Sequence, residues 1–154
     1  SALFLDDRLD RPLMERLVTE WDSSCCLIAL TDGTVVKIPD SPLILPSVTI
    51  DGICSILRQN GIAVDERNIA YGELVRRGQS DGIAAICSVG TAGILNRAQR
   101  LVMVDEDNLP CAEYRARTDH PVYLALGQAR QTYWDIYQEK APLPAGQKLE
   151  AFSV

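Results

Sequence analysis

The heptapeptide Leu45-Pro46-Ser47-Val48-Thr49-Ile50-Asp51 is where the chain changes period, and its reading decides the fold. Before it, Pro39, Pro42 and Pro46 hold the backbone in an extended, loop-like passage. After it, Ile50, Ile53, Ile56 and Leu57 recur at helical spacing until Gly61 supplies a stop. A turn therefore runs straight into a helix N-terminus. Backbone N–H groups there lack intrahelical partners and the helix dipole favours an anion. Thr49 adds a hydroxyl to such a site or caps the helix.

Towards the N-terminus, Cys25 to Leu30 reads as a strong strand, and Thr31-Asp32-Gly33 turns it into Thr34 to Ile38, the second arm of a hairpin. Earlier still, Ala2 to Leu5 is a short strand, Asp6 and Asp7 form an acidic turn, and Pro12 opens a helix with Leu13, Met14 and Leu17 on one face. Towards the C-terminus, Ile62 to Ile69 alternates as an edge strand and Tyr71 to Gly78 reads as a short helix. Ile83 to Val89 is an apolar run of strand length between Gly82 and Gly90. The small-residue turn Val89-Gly90-Thr91-Ala92-Gly93 follows, and its amides with the Thr91 hydroxyl suit an anion-binding nest. Taken singly, each turn is equally an ordinary N-cap or glycine turn.

Leu101 to Val104 is another strand, followed by a polar loop from Asp105 to Asp119. Pro121 begins the longest helix, with Val122, Leu124, Ala125, Ala129, Thr132, Tyr133, Ile136 and Tyr137 as its buried stripe. Pro142 and Pro144 end it, and Leu149 to Val154 reads as a closing strand. This is a mixed α/β pattern with several hairpins, and not a regular βαβ series.

A length of 154 residues fits one domain, residues 1–154, with a sizeable core. With aromatics at only 6%, that core rests on Leu, Ile, Val and Ala. The formal charge of −6 argues against a nucleic-acid partner, which requires clustered Lys and Arg. No stretch reads as a membrane segment or secretory signal. Cys25, Cys26, Cys54, Cys87 and Cys111 are odd in number and form no C-x-x-C, so neither a disulfide framework nor a zinc ribbon is expected. Cys25, Cys54 and Cys87 sit in apolar runs as small hydrophobes, and a reducing, intracellular (cytoplasmic) setting follows. Of the Cys25-Cys26 pair, strand alternation predicts one buried and one more exposed. His120, before Pro121, is a capping or surface residue, and one histidine builds no Ser-His-Asp set. Asp105, Glu106 and Asp107 read as a solvated turn, and Tyr133, Trp134 and Tyr137 as packing on the long helix.

The order of Thr19-Glu20, Asp32-Gly33, Leu45-Pro46-Ser47-Val48-Thr49-Ile50-Asp51, Gly61-Ile62-Ala63-Val64-Asp65-Glu66-Arg67 and Gly90-Thr91-Ala92 resembles the C-terminal, larger domain of fold-type IV pyridoxal-phosphate enzymes. Within these, the likeness is to branched-chain and D-amino-acid aminotransferases, and it spans nearly the whole chain. His120-Pro121-Val122 and its helix match the place of the family's Gly-Pro-Val and last helix. The resemblance implies an α/β fold with a mixed, mostly antiparallel sheet (a pseudo-barrel) and packed helices. It implies that Glu20 faces the pyridine nitrogen of pyridoxal phosphate and holds it protonated, so that the ring acts as an electron sink. It implies that the Val48 and Thr49 amides, with the Thr49 hydroxyl, bind the phosphate and that Thr91 adds a contact. The Thr91 and Ala92 amides would receive the substrate carboxylate.

The chain also departs from the family. The Schiff-base lysine belongs to a segment upstream of the Glu, and neither that segment nor the small N-terminal domain is in this sequence. Lys37, Lys140 and Lys148 do not follow its spacing. Ser47 replaces a glycine, Ile50 an arginine and Asn96 a proline, and Trp21 is placed to fill cofactor space. Three readings stay open. The chain is a piece of an aminotransferase or lyase that needs its N-terminal half; a repurposed stand-alone domain, pseudoenzyme or non-PLP biosynthetic enzyme binding a small anionic ligand; or a dimerising interaction module. Aminotransferases of this fold are typically dimers, so a homo-oligomer is expected in any of them.

Overall fold

The computed structural model describes residues 1–22, 24–44, 47–91 and 93–138. Its centre is a pair of apolar strands, β3 (Cys25–Leu30) and β6 (Ile83–Gly90), running antiparallel with Cys25 opposite Val89 and Ala29 opposite Ala85. All of β3 is buried, with no residue more than 7% exposed. The Asp-Gly hairpin delivers β4 (Val35–Lys37) beside β3. Gly33 takes φ +95°, and the Asp32 carboxylate accepts from the Thr34 amide at 2.8 Å. β5 (Val64–Glu66) joins β4 in parallel at one edge, and β7 (Ile94–Arg97) pairs with β6 at the other. The sheet order is β5-β4-β3-β6-β7. It does not close into a barrel among the described residues.

Helix α1 (Val48–Gln59) presents Ile50, Ile53, Ile56 and Leu57 to the core and ends at Gly61, φ +83°. It packs with α3 (Pro121–Tyr137) over one face of the sheet. There Arg97 of β7 lies 4.1 Å from the centroid of the Tyr123 ring and donates to the Tyr123 carbonyl at 3.0 Å. Two ribbons and a helix cover the other face: β1 (Leu3–Leu5) with β2 (Val18–Trp21), β8 (Arg100–Val104) with β9 (Pro110–Arg115), and α2 (Tyr71–Gln79). The Tyr114 hydroxyl of β9 accepts from Ile86 N–H at 3.2 Å and donates to the Ala98 carbonyl at 3.1 Å, fastening that ribbon to the sheet.

Several expectations are corrected. No helix follows Pro12, only a single 3-10 turn, Leu13–Glu15. The buried Asp6 carboxylate takes the Leu17 amide at 3.0 Å and Arg8 at 2.7 Å, drawing the chain back alongside β1 as β2. The loop Asp105 to Asp119 contains β9, turned by Asn108 at φ +61°. On α3, Tyr123 and Leu126 are buried, while Leu124 is 50% and Tyr137 41% exposed. Cys25 and Cys26 are both buried because both faces of the sheet are covered. The expected strand Leu149 to Val154 lies outside the described residues.

The joint between β5 and α2 is held by Glu73, which receives Arg67 through both guanidinium ends, at 2.9 and 3.0 Å, and Arg77 at 2.8 Å. The hydrogen bonds from Arg67, then those from Arg77, overcome the cost of partial burial and pull the Glu73 carboxyl from 4.5 down to about 2. The folded value lies below the unfolded one, so the stabilisation is complete above pH 4.5 and is lost as pH falls toward 2. E73Q is expected to lower stability by about 1 kcal/mol at pH 7, a partly exposed network being worth no more. In urea titrations the gap between the two proteins closes as pH is lowered to 2.

Candidate functional site

The N-terminus of α1 is capped by Ser47, whose extended backbone (φ −136°, ψ 120°) lets its hydroxyl accept from Ile50 N–H at 3.4 Å. Val48 and Thr49 are the next two positions, and helix geometry leaves their amides without intrahelical partners. Val48 is 48% exposed, so this terminus opens outward. Thr49 does not cap. Its hydroxyl is fully buried in the core beside the Tyr133 phenol. Burial raises the Tyr133 phenol above its ordinary value, and the Thr49 side chain opposes this. The two amides therefore suit an anion, whereas the hydroxyl is committed to the core.

Glu20 lies on β2, half-buried between the buried Thr19 and Trp21. A tight link, with Trp21 N–H donating to the Ser24 carbonyl at 2.8 Å, carries the chain into β3. Cys25 stands at that junction. Burial raises its thiol and the Glu20 charge raises it further, while a hydrogen bond with the Ser47 side chain opposes both. Glu20, Cys25 and Ser47 thus share one corner. Cys25 is opposite Val89, and two residues beyond Val89 the chain turns at Thr91, which is exposed. Arg130 of α3 donates to the Gly93 carbonyl at 3.4 Å, holding the helix against this turn. One end of the sheet therefore collects Glu20, the α1 N-terminus and the Thr91 turn. Ala92 lies outside the described residues, as do Leu45 and Pro46 of the other turn.

Trp21 does not enter this corner. Alternation along β2 turns it away from the Glu20 side. Its indole N–H donates to the Cys87 carbonyl at 3.0 Å, and it lines a separate cleft with Asp22, Ser24, Ser88 and Asn96.

Lys37 is 5% exposed, with its ammonium 3.5 Å from Glu66 and 3.6 Å from Asp40. Burial favours its neutral form, but Glu66, Asp40 and Asp51 outweigh this and hold Lys37 above its ordinary value. It is a paired ammonium and not a nucleophilic amine. Lys140 and Lys148 lie outside the described residues. Cys25 and Lys37 share one electrostatic neighbourhood, which their separate places in the sequence do not announce. The signal available was Asp40 three positions after Lys37, in a chain already turned by Asp32-Gly33.

His120 caps α3 as expected. Its Nδ1 accepts from Val122 N–H at 3.1 Å, which makes Nε2 the protonated nitrogen, donating to the Thr31 carbonyl at 3.0 Å. The Asp105 carboxylate accepts from the Asp107 and Leu109 amides, closing the β8–β9 turn. No described helix is long and apolar enough to cross a membrane.

No protein-family model matches the chain. Two curated relatives, transaminases AMT5 and AMT5-2 of Alternaria alternata, are each 32% identical over 119 residues, which is 75% of this chain. The chain spans only 30% of their length. Among solved structures it is similar to a branched-chain amino acid aminotransferase from Escherichia coli (TM-score 0.62, 15% identity, 94% of this chain and 40% of that one). It is similar also to an aminotransferase from Brucella abortus bound to PLP (TM-score 0.53, 19% identity, 78% of this chain and 35% of that one). A branched-chain amino acid aminotransferase from T.th., complexed with N-(5'-phosphopyridoxyl)-L-glutamate, gives a TM-score of 0.62 at 18% identity, over 92% of this chain and 39% of that one. The chain has the fold found in the branched-chain aminotransferases, over less than half of their length.

Ser47 joins the helix terminus to the Cys25 corner. S47A is expected to cost about 0.5–1 kcal/mol, the low end for an N-cap because its hydrogen bond is long. Chemical denaturation checks this, and a loss several times larger would mean that the contact with Cys25 dominates.

Proposed function

We propose that the chain is an aminotransferase-related piece that holds pyridoxal phosphate at the sheet end described above and does not transaminate alone. The observation that carries this reading is the convergence of Glu20 with the outward-facing N-terminus of α1. The bound group supplies an electron sink for chemistry at an amino acid's α-carbon. The chain's own residues supply its seat. The Val48 and Thr49 amides take the phosphate with the helix dipole behind them. Thr91 adds a donor at the facing turn, and the Thr91 and Ala92 amides take the substrate carboxylate. Glu20 keeps a proton on the ring nitrogen. No cation pairs with Glu20 among the described residues, so its charge is available for that proton.

The amine is what this reading lacks. Lys37 is charged and paired, so it neither attacks a carbonyl nor carries a proton between carbons. The relatives are also much longer than this chain. Activity therefore belongs to the chain joined to an N-terminal half, inside the cell and in an oligomer, with amino and keto acids as substrates. A second reading, a repurposed domain that binds another small anion, rests on the same two amides. It is favoured by Ser47 and Ile50 at positions where the resembling family has glycine and arginine. A dimerising module finds its support in Trp134 and Tyr137, stacked at 5.6 Å and each about two-fifths exposed on α3.

Native mass spectrometry with pyridoxal phosphate, before and after borohydride, separates these. Reversible binding is expected, displaced by inorganic phosphate, with no reduced adduct on Lys37. E20Q is expected to weaken it about tenfold, through loss of a charge-assisted hydrogen bond of about 1.5 kcal/mol. Turnover of an amino acid with a keto acid by the chain alone, or an adduct on any lysine, overturns the claim of incompetence. Absence of binding removes the cofactor and moves the search to another anion.

A further inference from the structure

The two ribbons beneath the sheet each use one edge only: β1 pairs with β2, and β8 with β9. On β1, the Ala2 carbonyl accepts from Asp22 N–H and the Asp6 amide donates to the Leu17 carbonyl, so these groups point into the ribbon. Alternation turns the N–H and C=O of Leu3 and Leu5 outward. On β8, the Asp105 amide donates to the Leu109 carbonyl and the Gln99 carbonyl accepts from Ala116 N–H, so the main-chain groups of Val102 and Val104 turn outward. Both outward edges border one trough of about 350 Å³. Its walls are apolar, built mainly from Leu3, Leu5, Leu13, Leu74, Leu101 and Met103.

An open peptide edge along an apolar wall is costly, since water solvates the amides poorly there and no protein partner replaces it. At one point the fold repairs the edge itself. The Tyr71 hydroxyl donates to the Val104 carbonyl and accepts from Val104 N–H, both at 2.8 Å, as a strand partner would. Val102, two residues along the same edge and 41% exposed, has no such substitute among the described residues.

We propose that this trough is a strand-acceptor site, which seats one extended apolar β-strand supplied by polypeptide outside these 154 residues. The strand lies antiparallel to β1 and pairs on its other side with β8, joining the two ribbons into one sheet. Ser1 lines the trough, so a segment joined ahead of it reaches this position by a single turn. The matched transaminases, of which this chain spans 30%, are long enough to contain such a segment. The proposal rests on backbone edges and not on the cofactor, so it and the cofactor reading fail separately.

The test adds ahead of Ser1 a strand of about six alternating Val and Thr residues, followed by Asn-Gly, and compares it with a Gly/Ser extension of equal length. The strand extension is expected to raise the melting temperature by about 5 °C and to slow amide exchange at Leu3, Leu5 and Val102 about tenfold or more. V102P removes an edge donor without touching the β8–β9 bonds and is expected to abolish both effects. V102D, which keeps the donor and charges the trough, is the second variant should V102P not fold. An equal gain from Gly/Ser overturns the proposal, as does protection of Leu3 and Leu5 without Val102. A dimer of the unextended chain that already protects these amides would make the occupant a second copy, and would overturn it too.

Discussion

The register between β3 and β6 is the constraint on which the candidate site depends. It sets Cys25 opposite Val89, so the start of one strand and the finish of the other meet at the same end of the sheet. The link from β2 into β3 then brings Glu20 there, and the turn after β6 brings Thr91. A slip of one residue would put the whole row of β3 side chains on the wrong face. Cys25 would turn from Ser47 toward the ribbons, and the α1 N-terminus would lose the neighbour that aligns it with Glu20. The slip is opposed from both sides, because α1 and α3 cover one face and the ribbons with α2 cover the other. The buried Leu27, Ile28 and Leu30 side chains of β3 pack against these layers at roughly 1.5–3 kcal/mol apiece.

What could be read beforehand follows from how each element is stabilised. β3 and β6 are continuous apolar runs bounded by turn residues, and α1 carries its apolar stripe up to a glycine of positive φ, so their signals are local. β9, Pro-Cys-Ala-Glu-Tyr-Arg, has one buried anchor in Tyr114 and takes its shape from β8. A strand made by its partner has little period of its own. The segment after Pro12 shows the reverse. Its apolar spacing suits a helix, yet the Asp6 carboxylate and pairing with β1 offer more than a short isolated helix can. The burial of Thr49, by contrast, was legible. It stands one helical turn before Ile53, on the face that α1 gives to the core, and that phase commits its hydroxyl inward while leaving its amide outward.

The same phase shows why the two anion turns, taken alone, say little about chemistry. Outward amides at the start of α1 belong to any capped helix, and they persist whatever becomes of the side chains around them. Glu20 is different, because it is half-buried beside a buried thiol and no cation pairs with it among the described residues. Nearby, Lys37 is spent on Glu66 and Asp40 and does not compensate it. The fold thus keeps its buried cation for its own acids and leaves an acid facing the corner. The proposed reading therefore asks for a ligand with a protonated ring or ammonium at one end and an anionic group at the other, one end for Glu20 and one for the α1 N-terminus. Pyridoxal phosphate has that polarity. A plain anion does not, because it satisfies the amides and leaves Glu20 unmatched.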